Sequence, residues 1–407
     1  MTHASASPSL FEPARLGPLT MPNRLVMAPM SRNRATADGT PEPIMATYYA
    51  QRASAGLIIA ESTTPNAVGR SYPDIPAIHR PEHVAGWRRV TEAVHAAGGQ
   101  MFLQLQHGGR IGHPETSGLT PVAPSPIPLP ELIHTPSGLR PAVEPREMTL
   151  DDIRSTVADF AAAARNAVAA GFAGVEVHSA NGHLLHQFLA KGTNHRSDAY
   201  GGNAEHRIRF ALEVVRAVAD AVGPERVGVR ISPGNTVNGI EEGDTEDIYR
   251  ALVGELARQK HTSYLHVVFA DPDQPVYREI RRTWPGTLIA NPVLGWNSPL
   301  PADGGRAAAE RLLTEGGAEL ISLGRPFLAN PDLVERLRTG APLNPLRDSG
   351  LNYTGGAAGY TDYPTMTAPP ALSAPSAPSA PSAPDTANDP APTTSTTTGS
   401  ARLAPAA

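Results

Sequence analysis

The segment HSANGHLLHQFL, His178 to Leu189, holds three histidines and an asparagine in close succession. Imidazoles this near one another can bind a metal, relay a proton, or donate hydrogen bonds to a ligand, and the Asn181 amide adds a donor and an acceptor. His183 and His186 have the i, i+3 spacing that helical metal ligands can use. No acidic residue lies between His178 and Gln187 and no HExxH is present, so no metal site is expected here. His186 sits among Leu184, Leu185, Phe188 and Leu189 and is expected to pack. His178, Asn181 and His183 remain as candidates, and what they do depends on the elements that hold them.

Those elements are legible as eight apolar runs. They are NRLVMAPM (23–30), GLIIAEST (56–63), QMFLQLQH (100–107), GVEVHSA (174–180), VGVRISP (227–233), SYLHVVF (263–269), TLIANPV (287–293) and LISLGRP (320–326). Helical patterns separate most of them. In the clearest, Ile153, Val157, Phe160, Ala164 and Val168 recur at helical spacing behind a Thr149–Asp152 capping box, with Gly171 suited to the C-terminal cap. Eight strand–helix repeats predict a closed (β/α)8 barrel of the TIM type, an α/β fold. A doubly wound sheet is the alternative, but no GxGxxG follows the first run. The connection from His113 to Met148 carries nine prolines. Following the third strand, it would lie on the catalytic face as a lid or wall of the site.

In a barrel, alternate strand residues point inward and the C-terminal ends carry the chemistry. That places Phe102, Gln104 and Gln106 inside from the third strand, Glu176 and His178 from the fourth, and Gly228 and Arg230 from the fifth. An amide, a carboxylate, an imidazole and a guanidinium near one barrel mouth are costly to bury for packing alone. Glu176 could pair with Arg230 as internal structure, whereas His178 and Gln104 suit a polar planar ligand. On the eighth strand, Gly324 allows close backbone approach and Arg325 offers a guanidinium, a phosphate handle where barrels commonly hold one.

The whole chain sets bounds on partners. Its 407 residues are 40% hydrophobic and 18% charged, with a net charge of -5. That describes a globular protein without a broad basic face, so neither nucleic acid nor a membrane surface is an expected partner. No apolar run approaches the ~20 residues that span a bilayer, and MTHASASPSLFEPA lacks the features of a secretory signal. With no cysteine there is no disulfide or thiolate chemistry, and a cytoplasmic location is the expectation. The barrel is expected over residues 1–367. Residues 368–407, rich in Pro, Ala, Ser and Thr with four SAP triplets, are expected to form a disordered tail.

With these residues in place, the chain resembles the old yellow enzyme family of flavin-dependent ene-reductases, from about Leu10 to Pro364. The matching stretches include NRLVMAPMSR, YYAQRASAGLIIAES, FLQLQHGGR, GFAGVEVHSANG, HQFL, YGG (200–202), RIRFALEVV, VGVRISP, GRPFLANPDL and GYTDYP. The resemblance implies a (β/α)8 barrel that holds FMN noncovalently. NADPH or NADH would reduce the flavin, and hydride would then pass to the β-carbon of an electron-poor alkene such as an enone or enal. It further implies that Pro29, Met30 and Ser31 line the flavin ring, Ser62 and Gln104 bond its edge, and Arg230 stabilises negative charge on it. Gly324 and Arg325 would hold the phosphate. His178 and Asn181 would grip the electron-withdrawing oxygen of the substrate, with Tyr72 and Tyr360 bordering the substrate space.

Three positions depart from the family pattern. The usual proton-donating tyrosine falls at His183, which is therefore expected to donate the proton or to position the water that does. A wall tryptophan is replaced by Gln106, making that wall more polar. A Gly-rich turn reads Asn291-Pro292; Pro292 has no N–H for a phosphate, and Asn291 is expected to compensate. The first departure motivates a competing reading, an FMN-dependent isomerase or metabolite-tailoring enzyme. The third motivates another, a flavin-free binding protein.

Overall fold

The computed structural model describes residues 9–294 and 299–366. All eight predicted runs form strands: β1 Leu25–Met27, β2 Leu57–Thr63, β3 Met101–Leu105, β4 Gly174–Ser179, β5 Val227–Ile231, β6 Tyr264–Ala270, β7 Thr287–Pro292 and β8 Leu320–Leu323. They close into one parallel barrel in sequence order, with β8 beside β1 and β3 beside β4. The main helices of the outer layer include Pro81–Ala96, Leu150–Ala169, Arg209–Val222 and Thr245–Gln259. The Leu150–Ala169 helix starts where the sequence predicts. The Thr149 side chain accepts from Asp152 N–H, and the Asp152 carboxylate accepts from Thr149 N–H.

Period-2 alternation decides what each strand shows to each side. Leu103, Leu105, Val175, Val177, Val227 and Val229 pack outward in the main apolar shell. The inward residues Phe102 and Tyr264 join Ile59, Ile289 and Leu320 in a second cluster that fills the lower barrel. The N-terminal hairpin, Ala14–Leu16 against Leu19–Met21, adds Leu16 and Met21 to that cluster and so closes the barrel floor. Gly228 makes this filling possible, because a Cβ there would fall 1.9 Å from the Tyr264 ring. Above this plug the inward positions become polar.

The excursion after β3 is folded rather than a bare loop. It holds a short helix at Pro114–Ser117, a parallel pairing of Val122–Ala123 with Arg146–Glu147, and a hairpin of Leu132–Thr135 with Gly138–Pro141. Its base is fixed by Arg196, which donates to the carbonyls of Pro124 (3.2 Å) and Met148 (2.6 Å). Arg110 donates to the carbonyls of Asn238 and Gly239, beyond β5, at 2.9 and 2.8 Å. Among the described residues, no helix is long and apolar enough to cross a membrane.

The expected tail, 368–407, lies outside the described residues. Its composition still supports a prediction. Deleting it should leave flavin content, melting temperature and turnover nearly unchanged, since it lacks the apolar side chains needed to dock. Calorimetry and a turnover assay on the truncated protein check this.

Candidate active site

The polar layer at the C-terminal ends of the strands is organised around Glu176. Its carboxylate accepts from Gln104 Nε2 (2.8 Å) and Tyr264 Oη (3.1 Å) and meets His266 Nδ1 at 2.8 Å. His266 Nε2 in turn meets Ser322 Oγ at 2.7 Å. Of the two roles open to Glu176 and Arg230 from sequence, a direct pair is not formed: the carboxylate's contact at this point is His266, and Arg230 acts on it only through its charge. Burial pushes the Glu176 carboxyl up, but His266 beside it, then Arg230 and the Gln104 amide, hold it below the ordinary carboxylate value. Burial lowers His266 against the pull of Glu176. The carboxylate thus stays ionised and His266 neutral, donating Nδ1–H to it.

This network fixes the amide and tautomer above it. Ser62 Oγ donates to Gln104 Oε1 at 2.6 Å, so Gln104 turns its Nε2 toward Glu176 and toward His178 Nδ1, at 3.3 Å. Ser62 and Gln104, expected along the flavin edge, are thus hydrogen-bonded to one another. His178 Nδ1 accepts, which leaves the proton on His178 Nε2 as a donor. Burial, then the electrostatic influence of His183 and Arg230, hold His178 well below the ordinary histidine value, so it is a neutral donor.

Beyond β4 the chain turns sharply through two left-handed residues, Asn181 (φ 52°) and Gly182 (φ 76°). A non-glycine residue there is strained and persists only when its surroundings hold it. Asn181 N–H donates to Ser232 Oγ (2.8 Å), and Asn181 O accepts from Asn238 Nδ2 (2.8 Å). Gly182 N–H donates to His186 Nδ1 (3.2 Å), and Gly182 O accepts from Gln187 Nε2 (2.8 Å). His186, expected to pack, does so with a bond: its Nε2 meets Glu242 Oε1 at 2.9 Å inside the core. It acts as a latch on the turn that presents Asn181.

His183 lies beside His178, with ring centroids 4.8 Å apart. Its Nδ1 faces the Ala180 carbonyl at 3.3 Å, which can only accept, so the proton sits on Nδ1 and Nε2 keeps its lone pair. Burial lowers its pKa to about 3, with only partial relief from Ala180. Near neutral pH His183 is uncharged and offers an acceptor. Of the two roles expected of His183, this tautomer suits positioning a water. His107, which the sequence reading did not single out, has the complementary tautomer. Its Nδ1 accepts from Gly109 N–H at 3.1 Å, placing the proton on Nε2. Burial, then the repulsion that a protonated His183 would exert, lower its pKa to about 3.

The remaining predicted residues fall at the same end of the barrel. Pro29, Met30 and Ser31 follow β1, and a Cβ on Gly324 would lie 3.2 Å from Met30 Sδ, so the ends of β8 and β1 form one narrow floor. Arg325 is half-buried at the start of the Arg325–Ala329 helix and donates to Leu294 O at 2.9 Å. Asn291, expected to compensate at the phosphate, accepts from Arg230 Nη2 (3.2 Å) and donates to Ser322 O (3.0 Å). It holds the guanidinium in place. Gln106 donates to Ser71 Oγ at 3.2 Å, beside Tyr72, which is 7% exposed. Tyr360, expected on the substrate border, is fully buried. It stacks on Tyr48 at 4.1 Å, with the guanidinium groups of Arg32 and Arg34 each 4.9 Å from its ring centre. Those arginines bind carbonyls of residues 351–359, so the stack anchors the C-terminal segment.

Buried atoms with no hydrogen-bond partner among the described residues include Gln106 Oε1, His107 Nε2, His178 Nε2, His183 Nε2 and Arg230 Nε, all on or just after β3, β4 and β5. Each would cost about 1–3 kcal/mol if it stayed unpaired. Against a net stability of about 5–15 kcal/mol, that concentration marks a ligand site. Among the described residues, no group of three or more His, Asp or Glu side chains could hold a metal ion. The donor set fits a flat ligand with polar edges, an electron-rich centre over Arg230 and an anionic tail toward Gly324 and Arg325. These are the demands of a flavin mononucleotide.

The model of the NADH:flavin oxidoreductase / NADH oxidase family matches residues 9–344. The chain belongs to that family. As a member of the NADH:flavin oxidoreductase / NADH oxidase family it has named relatives. It is 39% identical over 369 residues to a Leishmania infantum protein named "Probable flavin mononucleotide-dependent alkene reductase", spanning 88% of this chain and 97% of that one. Morphinone reductase, solved in complex with tetrahydroNAD, superposes with a TM-score of 0.81 at 42% identity, covering 88% of this chain and 98% of its own. The old yellow enzyme homologue from Zymomonas mobilis gives 0.82 at 40% identity, with 88% and 99% covered. The resemblance to the old yellow enzymes seen in the sequence is borne out.

Proposed function

We infer that the protein is an FMN-dependent oxidoreductase that reduces the C=C bond of electron-poor alkenes with NADPH or NADH. The observation that carries this reading is His178 Nε2–H and the Asn181 amide, held by their neighbours at the polar barrel mouth, with Arg230 in register with His178 on the adjoining strand. FMN when bound supplies the hydride, taken from the coenzyme and delivered to the alkene. Arg230 and Gln104 would lie against its ring and Gly324 with Arg325 against its phosphate. A cytoplasmic setting agrees with the cysteine-free composition.

His178 and Asn181 act on the substrate oxygen. As hydride reaches the β-carbon, negative charge moves to that oxygen. Two fixed donors in a water-poor site stabilise it far more than they stabilise the neutral alkene. The α-carbon then needs a proton. His183 Nε2 cannot give one, but it can accept from a water, while His107 Nε2–H can donate to the oxygen of the same water. A water so held is oriented to give its other proton to the carbon, and the hydroxide left behind takes a proton from bulk solvent.

Pure protein should be yellow and should release FMN on denaturation, detected by absorption and chromatography. Colourless protein that takes up no added FMN would contradict the reading and favour a flavin-free binding protein.

A further inference from the structure

We propose that Asn235 is a positioning residue for the substrate: its amide orients Asn181 so that the Asn181 Nδ2 donor, not its carbonyl, faces the substrate oxygen. The inference rests on the function proposed above and extends it to a residue in the loop after β5.

The argument starts at one backbone N–H. Val237 N–H donates to Asn235 Oδ1 at 2.9 Å. Only the oxygen of an amide can accept, so the orientation of Asn235 is settled by that bond. Its Nδ2 is then on the other side, where it donates to Asn181 Oδ1 at 2.8 Å. This second bond turns the Asn181 carbonyl toward Asn235 and directs its Nδ2 the opposite way.

The rest of Asn181 has little freedom. Its backbone is fixed at both ends by Ser232 and Asn238, and it is 2% exposed. What remains is a half-turn of the side-chain amide. Oxygen and NH2 are nearly the same size, so packing alone does not choose between the two states. Turned the wrong way, Asn181 would set a carbonyl oxygen against the substrate oxygen and remove one of two donors. Gln104 settles the same choice for His178 through Nδ1. The two donors are thus each fixed by a neighbouring amide, one on β3 and one beyond β5.

The test uses the holoenzyme with Asn235→Asp and Asn235→Ala. In Asn235→Asp, one carboxylate oxygen still accepts from Val237 N–H, and the other can only accept, so Asn181 must turn its Nδ2 toward it. The probe is cyclohexanone labelled with carbon-13 at the carbonyl, bound to the oxidised holoenzyme and read by its infrared carbonyl stretch. In the wild type the band should lie below its solution frequency. It should move back toward the solution value in Asn235→Asp as far as it does in Asn181→Ala, and part-way in Asn235→Ala. Turnover of cyclohexenone should fall by about 10²-fold in Asn235→Asp, the lower end for loss of one such donor, and less in Asn235→Ala. In an Asn181→Ala background, Asn235→Ala should add almost nothing, because the two act through one bond. An unshifted band with wild-type turnover in Asn235→Asp would overturn the proposal. So would an undiminished effect of Asn235→Ala in the Asn181→Ala background, which a merely structural role would give. A wild-type holoenzyme that consumes no coenzyme with cyclohexenone would overturn the underlying function and this inference with it.

Discussion

Replacing Arg230 by methionine is expected to lower flavin affinity and to slow flavin reduction by about 10²- to 10³-fold, the range for losing one preorganised electrostatic group. Arg230 is almost fully buried, held by Asn291, with Nε unpaired. A fixed positive charge there lowers the energy of negative charge developing on the ring without any reorganisation at the moment of reaction. The substitution also strips a cation from the surroundings of Glu176. Because the Glu176 carboxyl lies below its ordinary value when folded, its contribution to stability is present above the unfolded value and lost as pH falls through the folded one. The methionine variant should therefore lose part of that contribution, and its melting temperature should depend less on pH in the acid range. Arg230→Lys keeps the charge and should retain part of both properties. Stopped-flow reduction and flavin titration check the first effect, and calorimetry from acid to neutral pH the second. Wild-type affinity and reduction in the methionine variant would remove Arg230 from this role.

His183→Phe is expected to leave flavin content and reduction by the coenzyme near normal, while reoxidation by an enone slows by about 10²-fold. The substitution should fold, because the Ala180 carbonyl keeps the backbone N–H of residue 183 as a partner at 3.2 Å. With its pKa lowered to about 3, His183 is already neutral throughout the usual assay range. Wild-type reoxidation should accordingly show no inflection from His183 between about pH 5 and pH 8, unlike a donor with the reference pKa of about 6.5. In deuterium oxide the α-carbon should gain deuterium. A mutant as fast as the wild type, or a wild-type inflection near neutrality that the mutant abolishes, would contradict the water-holding role.

The barrel was legible because its strands obey a strict alternation. Valines at 175, 177, 227 and 229 face the helices, which forces Glu176, His178 and Arg230 inward. The same alternation places His266 inside β6, within the apolar run SYLHVVF. There the cue was available, since Tyr264 and His266 share one face of β6, but a polar residue inside an apolar strand carries no signal of its partner. Asn235 and Asn238 lie in a loop without periodicity, so only folding brings them to Asn181. Tyr360 shows a different limit: nothing in its motif announces the stack on Tyr48 or the two guanidinium groups beside its ring. Tautomers lie further still from the sequence. That His178 presents N–H and His183 a lone pair follows from Gln104 and from the Ala180 carbonyl, and neither bond is encoded by spacing.

The most direct measurement of the central claim is a two-stage anaerobic experiment on the purified holoenzyme. NADPH or NADH is added until the flavin absorption bleaches, excess coenzyme is removed, and one equivalent of cyclohexenone is added while the products are analysed. The account predicts that flavin absorption returns and that one saturated ketone forms per flavin. An alkene that comes back isomerised without restoring the absorption, or a flavin that stays reduced, would contradict it.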